Sequence, residues 1–343
     1  MRYRTSDFDY SLPAGQIAQH PLPDRAASRL LVLHRVGGAI RHAQFRDIVD
    51  LVAPEDVLVL NVSRVIPARL HGMREAGGQA EILLVRELPD GTWLGMGHPG
   101  GKLKPGRRVA FGDDSAVEIV AMLGGGLRRV KFVGALDAGA TLAKYGEMPL
   151  PPYIRRPPRP DDRERYQTVY AAHDGSVAAP TAGLHFTRPL LEGVQARGTA
   201  VAMLDLHIGP ATFKPVEVED LAHHPMHAEA YAVSEQAAAT INERRQGGGQ
   251  TWAVGTTVVR ALETCADERG AIRAATGETS LFIHPPYAFR AVDRLLTNFH
   301  LPRSTLLMLV CAFGGYDNVM RAYEEAVAEG YRFYSYGDAM AVI

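Results

Sequence analysis

Hydrophobic and polar positions divide the chain into three textures. A short amphipathic stretch beginning at Gln44 leads into the apolar run 57–60, which predicts a buried strand closed by Asn61. Between Ala68 and Val133 the pattern changes to short β-type runs at 81–86, 108–111, 117–122 and 130–133, separated by glycine-containing turns and lacking any helical period. This predicts a small all-β, barrel-like unit. A helix at 137–145 and the proline-rich stretch 148–160 follow. Beyond Tyr166 the periods alternate: helix 189–197, strand 200–206, helix 235–246, strand 251–254, helix 256–268 and strand 280–284. Asp317 opens a last helix that Gly330 closes, and 331–336 reads as a final strand. Strands alternating with helices imply an α/β sheet, so 68–133 reads as an insertion in a discontinuous α/β domain made of 1–67 and 134–343.

Composition adds bounds to this picture. The 343 residues suit about two domains. The longest apolar run, 306–313, is far short of the roughly 20 residues of a membrane span and reads as a buried element. The first 16 residues are polar, with Asp7, Asp9 and Pro13, so they lack the apolar core of a signal peptide, and a cytoplasmic location is expected. Two cysteines, Cys265 and Cys311, are too few for a disulfide framework or a cysteine-rich zinc site and read as inert buried thiols. A net charge of −1 argues against a general nucleic-acid coat but leaves room for a local basic face. The five lysines stand against 32 arginines, a bias that suits bidentate phosphate contacts and equally an arginine-rich composition.

Several motifs carry no chemistry. Residues 95–100, GMGHPG, match a dinucleotide-binding pattern, but Pro99 and the GKLKP run after it deny the helix that should receive a pyrophosphate. Asn61-Val62-Ser63 fits a glycosylation pattern with no secretory context, and neither a nucleophile elbow nor a P-loop is present. His224 and His227 have metal-ligand chemistry in HPMHAE (224–229), yet Pro225 breaks the helical spacing such motifs use, and no metal is expected.

Others are candidates. Gly255, Thr256 and Thr257 stand between a strand end and a helix N-terminus, where backbone N–H groups and the helix dipole favour an anion; an ordinary capped turn would look the same. Arg260 and Glu263 on that helix suit a solvated ion pair. Eight of the 13 histidines lie from His173 onward, and His185, His207, His224, His227 and His300 occupy glycine- or proline-bounded positions suited to proton transfer near neutral pH. The run GSVAAPTAGLHF (175–186) combines small residues that admit close backbone approach, the hydroxyls of Ser176 and Thr181, the His185 imidazole and the Phe186 ring.

That last run resembles the S-adenosylmethionine:tRNA ribosyltransferase-isomerase family of queuosine biosynthesis. The resemblance extends through DFDYSLPAGQIAQHPLPDRAASRLL (7–31), RVIPARL (64–70), MPLPPYI (148–154), RYQTVY (165–170), HPMHAE, AVGTTVVRALE (253–263), TNFHLPRSTLLMLV (297–310) and YRFYSYGDAM (331–340). It implies an α/β domain with an inserted β-barrel, in line with the texture change at 68–133. It also implies a reaction in which S-adenosylmethionine donates its ribosyl carbons to the aminomethyl group of a 7-aminomethyl-7-deazaguanine in a tRNA anticodon, giving epoxyqueuosine-tRNA, adenine and methionine. S-adenosylmethionine is then a consumed substrate, no metal or other cofactor is needed, and the partners are that tRNA and no membrane, with a monomer favoured.

The implied chemistry needs a base for the C5′ proton, an acid for adenine and an anion site for the methionine carboxylate. On this basis His185, His207 and His227 are the proton-transfer candidates, with Asp338 to hold a purine edge or the acceptor amine. Gly255, Thr256 and Thr257 form the carboxylate site; Phe186, Phe299 and Tyr336 are stacking candidates; Asn61, Ser176, Thr181 and Asn298 complete the substrate-binding set. Arg64, Arg69, Arg155, Arg156 and Arg260 are candidates for RNA phosphates. The chain departs from the family pattern at Val62, where a carboxylate or amide is usual, at Asp205, where Thr is usual, at Pro210-Ala211 and at Pro285-Pro286. Asp205 is the nearest candidate to replace the polar group missing at Val62. A divergent member acting on another amine, and an RNA-binding protein without catalysis, are the rival readings.

Overall fold

The computed structural model describes residues 3–209 and 216–343. Strands β1 (Arg29–Leu33), β2 (Ile40–Gln44) and β3 (Val57–Asn61) begin the principal sheet. After the short β4 (Ser63–Val65) come β5 (Arg69–Arg74), β6 (Gln79–Glu87), β7 (Trp93–His98) and β8 (Arg108–Gly112). They continue with β9 (Ser115–Gly124), β10 (Leu127–Val133) and β11 (Gly146–Glu147) into a second sheet. β12 (His173–Ser176) pairs in parallel with β4. The chain then returns to the principal sheet through β13 (Ala200–Leu206), β14 (Glu229–Val233), β15 (Thr251–Val254), β16 (Ala275–Thr279), β17 (Arg294–Asn298) and β18 (Ala339–Val342). The helices are α1 (Ile48–Leu51), α2 (Ala138–Tyr145), α3 (Asp162–Arg165), α4 (Arg188–Ala196), α5 (Glu235–Gln246), α6 (Thr256–Cys265), α7 (Thr305–Gly314) and α8 (Tyr316–Ala328).

The nine-stranded principal sheet runs β16-β14-β13-β3-β15-β17-β18-β1-β2 and mixes parallel and antiparallel neighbours. Its centre, β13-β3-β15-β17, is parallel, and β3 is apolar up to Asn61 because both of its faces are covered. Side chains alternate across a strand, so Val57 and Val59 join the cluster under α5–α8, whereas Leu58 and Leu60 join the one under α1 and α4. Local chemistry starts the helices where their caps allow: the Thr187, Ser234 and Ser304 side chains accept the Leu190, Ala237 and Leu307 N–H groups at the entries of α4, α5 and α7.

The second sheet, β11-β5-β6-β7-β10-β9-β8, is antiparallel, and β8 pairs in addition with β5 through Met73↔Ala110 and Arg74↔Val109. Its core joins Ile82, Val109, Val117 and Val130 to Leu142 of α2. The expected end of this unit at Val133 thus falls short of α2 and β11, which pack and pair with it.

Two expected strands are absent. Residues 280–284 carry apolar alternation without strand pairing; the strand precedes them as β16, and Pro285 and Pro286, which have no N–H to donate, follow. Residues 331–336 form no strand either, because Tyr331 and Phe333 pack against Phe299 in an aromatic cluster and Tyr334 adopts a φ of 72°. The true last strand is β18, between β17 and β1. The apolar run 306–313 is the interior of α7, and among the described residues no helix is long and apolar enough to cross a membrane. Cys265 and Cys311 are both buried free thiols.

Candidate functional site

The carboxyl ends of β15 and β17 open onto a cavity, where ligands gather in open α/β sheets. Gly255 follows β15 with a φ of 96°, in the left-handed region a side chain disfavours, and turns the chain into α6. Its N–H donates to Leu296 O (2.7 Å), tying the α6 entry to β17. Thr256 and Thr257 begin the helix, so their N–H groups lack intrahelical acceptors, and both residues line the cavity. Thr181 and Ala182 form another part of the wall, and Asn298 and Phe299 a third. Among the described residues, no Asp, Glu, Lys or Arg lines the cavity.

Asn298 is fixed by its surroundings. Its Nδ2 donates to Tyr334 O and His185 Nε2, both at 3.1 Å, and to Asp338 O at 3.4 Å. Carbonyl oxygens only accept, which sets the amide's orientation. His185 Nε2 is then an acceptor, so Nδ1 carries the proton and donates to Ser28 Oγ (2.7 Å), which donates onward to Arg25 O. His185 is buried and stacked on Phe45, and burial, with Arg25 and Arg332 beside it, lowers its pKa to about 3. It remains neutral and is hydrogen-bonded to the cavity-lining Asn298. His300, in the cavity wall, contacts Thr297 Oγ1 through Nε2 and is likewise lowered to about 3 by burial.

A second, open cleft lies between the two sheets. Trp93 and Met96 of β7 line one side, and His207 and His227 line the other. Ile208 belongs to the walls of both the cleft and the cavity, so the two spaces adjoin. His207 Nδ1 is buried with no hydrogen-bond partner among the described residues. Burial lowers the pKa of this ring, Asp205 pulls it up and His173 adds to the lowering. A side chain at Gly175, where φ is 141°, would come within 2.9 Å of the His207 ring; the glycine makes room for the histidine rather than for a ligand.

The sequence candidates therefore separate. Thr181, Gly255, Thr256, Thr257, Asn298 and Phe299 converge on the cavity, and His207 and His227 on the cleft. Asn61 braces β3 to β13 through Leu206 N and O, and its Nδ2 also reaches Thr257 Oγ1 (3.4 Å). Asp338 lines neither the cavity nor the cleft, and its carboxylate accepts from Arg29 N and Arg332 N. Ser176 Oγ bridges Ala178 O and Ile208 N. Phe186 is fully buried edge-on to Phe45, and Tyr336, buried with its hydroxyl donating to Asp162, lines neither the cavity nor the cleft. Phe299, although in the cavity wall, is fully buried among Tyr323, Tyr331 and Phe333.

The arginines separate as well. Arg260 is buried against Glu229 and donates to Leu281 O and Thr279 O, so it reaches neither Glu263 nor a phosphate. Glu263 instead accepts from the Arg290 and Ala291 N–H groups. Arg69 pairs with Glu81 (3.4 Å), and Arg64 lies 3.8 Å from Asp174. Arg155 is exposed. Arg156 forms a bidentate pair with Asp162 at 2.7 and 2.8 Å. Sequence reasoning missed a basic patch, where Lys102, Lys104 and Arg107 gather with Arg74, Arg108 and Glu75 on the second sheet. The glycine- and proline-bounded GGKLKPG run was its signal. Arg156→Ala is accordingly expected to destabilise the fold by at most about 3–5 kcal/mol, because it removes the charged partner of the Asp162 carboxylate and leaves it only the Tyr336 hydroxyl and the Arg159 N–H. Chemical denaturation checks this.

Asp205 lies next to Leu204, which pairs with Asn61, and so stands beside Val62, but its carboxylate engages His173 Nδ1 at 2.8 Å. Val62 is buried, with its backbone bonded to Leu204 O and Ala172 N, as a packing residue would be. The Pro210-Ala211 departure lies outside the described residues. Among the described residues no group of three or more His, Cys, Asp or Glu is placed to hold a metal ion, His224 and His227 included.

Comparison with known proteins bears directly on this architecture. Residues 5–342 match the family described as "Queuosine biosynthesis protein". The S-adenosylmethionine:tRNA ribosyltransferase-isomerase of Symbiobacterium thermophilum is 53% identical, over 99% of this chain and 100% of the relative. The protein of the same name from Moorella thermoacetica is 51% identical over the same shares of the two chains. A crystal structure of an S-adenosylmethionine tRNA ribosyltransferase from Thermotoga maritima superposes with a TM-score of 0.57 at 39% identity, covering 98% of this chain and 100% of that one. With a family match over nearly its whole length and relatives at this level of identity, the chain belongs to the queuosine biosynthesis protein family.

Proposed function

We propose that this chain acts as an S-adenosylmethionine:tRNA ribosyltransferase-isomerase, transferring and isomerising the ribosyl moiety of S-adenosylmethionine onto the aminomethyl group of 7-aminomethyl-7-deazaguanine in tRNA. The observation that carries the reading is the junction at Ile208, where an uncharged cavity with a helix N-terminus adjoins a wide cleft bearing two histidines. The methionine carboxylate sits at the Thr256 and Thr257 N–H groups, and the ribose extends toward the cleft. His207, which lines the cleft and whose pKa is lowered by burial, takes the C5′ proton made acidic by the sulfonium. His227, exposed in the same cleft, serves adenine as proton donor. Attack by the aminomethyl nitrogen and closure of the epoxide then release methionine. No metal or redox group enters this scheme.

The second sheet, in which β8 also pairs with β5, is read as an inserted barrel-like domain spanning 68–133, with α2 and β11 packed and paired against it. Its Lys102, Lys104 and Arg107 face, with the exposed Arg155, meets the tRNA backbone. Lys104→Ala should flatten the log–log salt dependence of tRNA binding by roughly 0.7–0.9, whereas Arg156→Ala should leave it unchanged. Equilibrium binding across a salt series measures both.

Turnover is tested with S-adenosylmethionine and tRNA carrying the aminomethyl-deazaguanine. Release of adenine and methionine together with the epoxide-bearing nucleoside, identified by mass spectrometry, is the expected result. Release that depends on a different amine identifies a divergent member of the family, and tRNA binding without release identifies a non-catalytic RNA-binding protein.

A further inference from the structure

Asn298 presents one atom that the fold does not use. Its amide nitrogen is held by Tyr334 O, Asp338 O and His185 Nε2, while Oδ1 is buried, in a residue only 2% exposed, with no hydrogen-bond partner among the described residues. A buried acceptor left unpaired is costly, and native structures rarely keep one unless something else satisfies it. Asn298 lines the cavity that also holds the α6 N-terminus.

The two features are neighbours by construction. β15 and β17 pair in parallel with Val254 opposite Leu296, so Thr256 and Asn298 each stand two residues beyond the same rung. An α-amino acid carries its carboxylate and its ammonium on one carbon, so a ligand whose carboxylate sits at Thr256 and Thr257 places its ammonium within a few ångströms of that anion site. The ammonium needs acceptors, and among the described residues no Asp or Glu lines the cavity to supply them. We infer that Asn298 Oδ1 accepts a hydrogen bond from the α-ammonium of the bound amino-acid moiety and makes the cavity selective for ligands that carry an intact α-amino acid.

This assignment rests on the S-adenosylmethionine reading above and adds a recognition role to it. His185 becomes a positioning residue: by accepting from Asn298 Nδ2 it helps keep Oδ1 turned to the ligand. Neutral His185 can play that part, whereas imidazolium could not accept that bond.

Calorimetric binding of S-adenosylmethionine, of its analogue lacking the α-amino group and of its analogue with hypoxanthine in place of adenine tests the inference. The wild-type protein should prefer S-adenosylmethionine over the deaminated amino-acid analogue by on the order of 10- to 100-fold, the worth of a hydrogen bond to a charged group. Asn298→Ala should erase that preference while leaving the preference between the two purines as it was. Equal affinity of the wild type for S-adenosylmethionine and the analogue lacking the α-amino group overturns the inference without needing a folded variant. So does an Asn298→Ala protein that keeps the amino-group preference, or that loses the purine preference instead. Failure of the wild type to bind S-adenosylmethionine at all would overturn the functional reading itself, a distinguishable result.

Discussion

Replacing His207 by Ala should lower turnover by about 10²–10⁴-fold while changing S-adenosylmethionine affinity far less, since a proton-transfer group acts on the barrier rather than on ground-state binding. The expectation comes from position. His207 combines a lowered pKa, a ring nitrogen without a partner and a place in the cleft that adjoins the cavity. His185, the more conspicuous histidine in sequence, has both ring nitrogens committed. The pH profile supplies the sign. A base must be neutral, so kcat/KM should fall on the acid side with a midpoint below the ordinary histidine value of about 6.5. Asp205 raises the His207 pKa, so Asp205→Asn should move that midpoint to still lower pH. An unmoved or raised midpoint would assign the limb to another group, and comparable losses of binding and rate in His207→Ala would make it a positioning residue.

Stability should fall steeply in mild acid. His185 and His300 are both held neutral by burial, with pKa values lowered to about 3. In the unfolded chain they protonate near 6.5, so as pH drops from there toward 3 the unfolded state binds protons that the folded state refuses. Their stabilising contribution is complete above about pH 6.5 and is lost progressively below it, with a slope approaching 1.4 kcal/mol per pH unit for each histidine. Asp338, whose carboxyl is raised by burial, acts in the opposite sense. Urea unfolding at pH 7.5 and 5.5 should reveal the drop, and His300→Gln should reduce it. A flat response between the two pH values would mean that these rings are protonated in the native state.

Much of the architecture was legible in the sequence where local chemistry and burial agree. Strands β13 and β15 and helix α5 fall on their expected residues because their periods, and for α5 its cap at Ser234, point the same way. The failures share a cause. Apolar alternation at 280–284 and 331–336 reports burial, and nothing local distinguishes a buried loop from a strand. β1 and β2 went unread although β1 is almost wholly buried, since an exposed antiparallel neighbour such as β2 carries little pattern.

The site shows the same division. Gly255–Thr257 was readable because a strand end, a glycine and a helix start lie together in sequence. The reduction of His185 to a support depends on Ser28, 157 residues away, and on Asn298, 113 residues away. The fate of Arg260 depended on Glu229, 31 residues away, whereas Asp162, the partner of Arg156, lies only six residues on.

The account rests on one arrangement, with the amino-acid end of S-adenosylmethionine in the cavity and its ribose directed past Ile208 to the histidine cleft. A crystal structure of the chain soaked with S-adenosylmethionine measures it directly. The account predicts density with the carboxylate at the Thr256 and Thr257 N–H groups and C5′ turned toward His207. Density for the carboxylate elsewhere, or a C5′ that points away from His207, would contradict it.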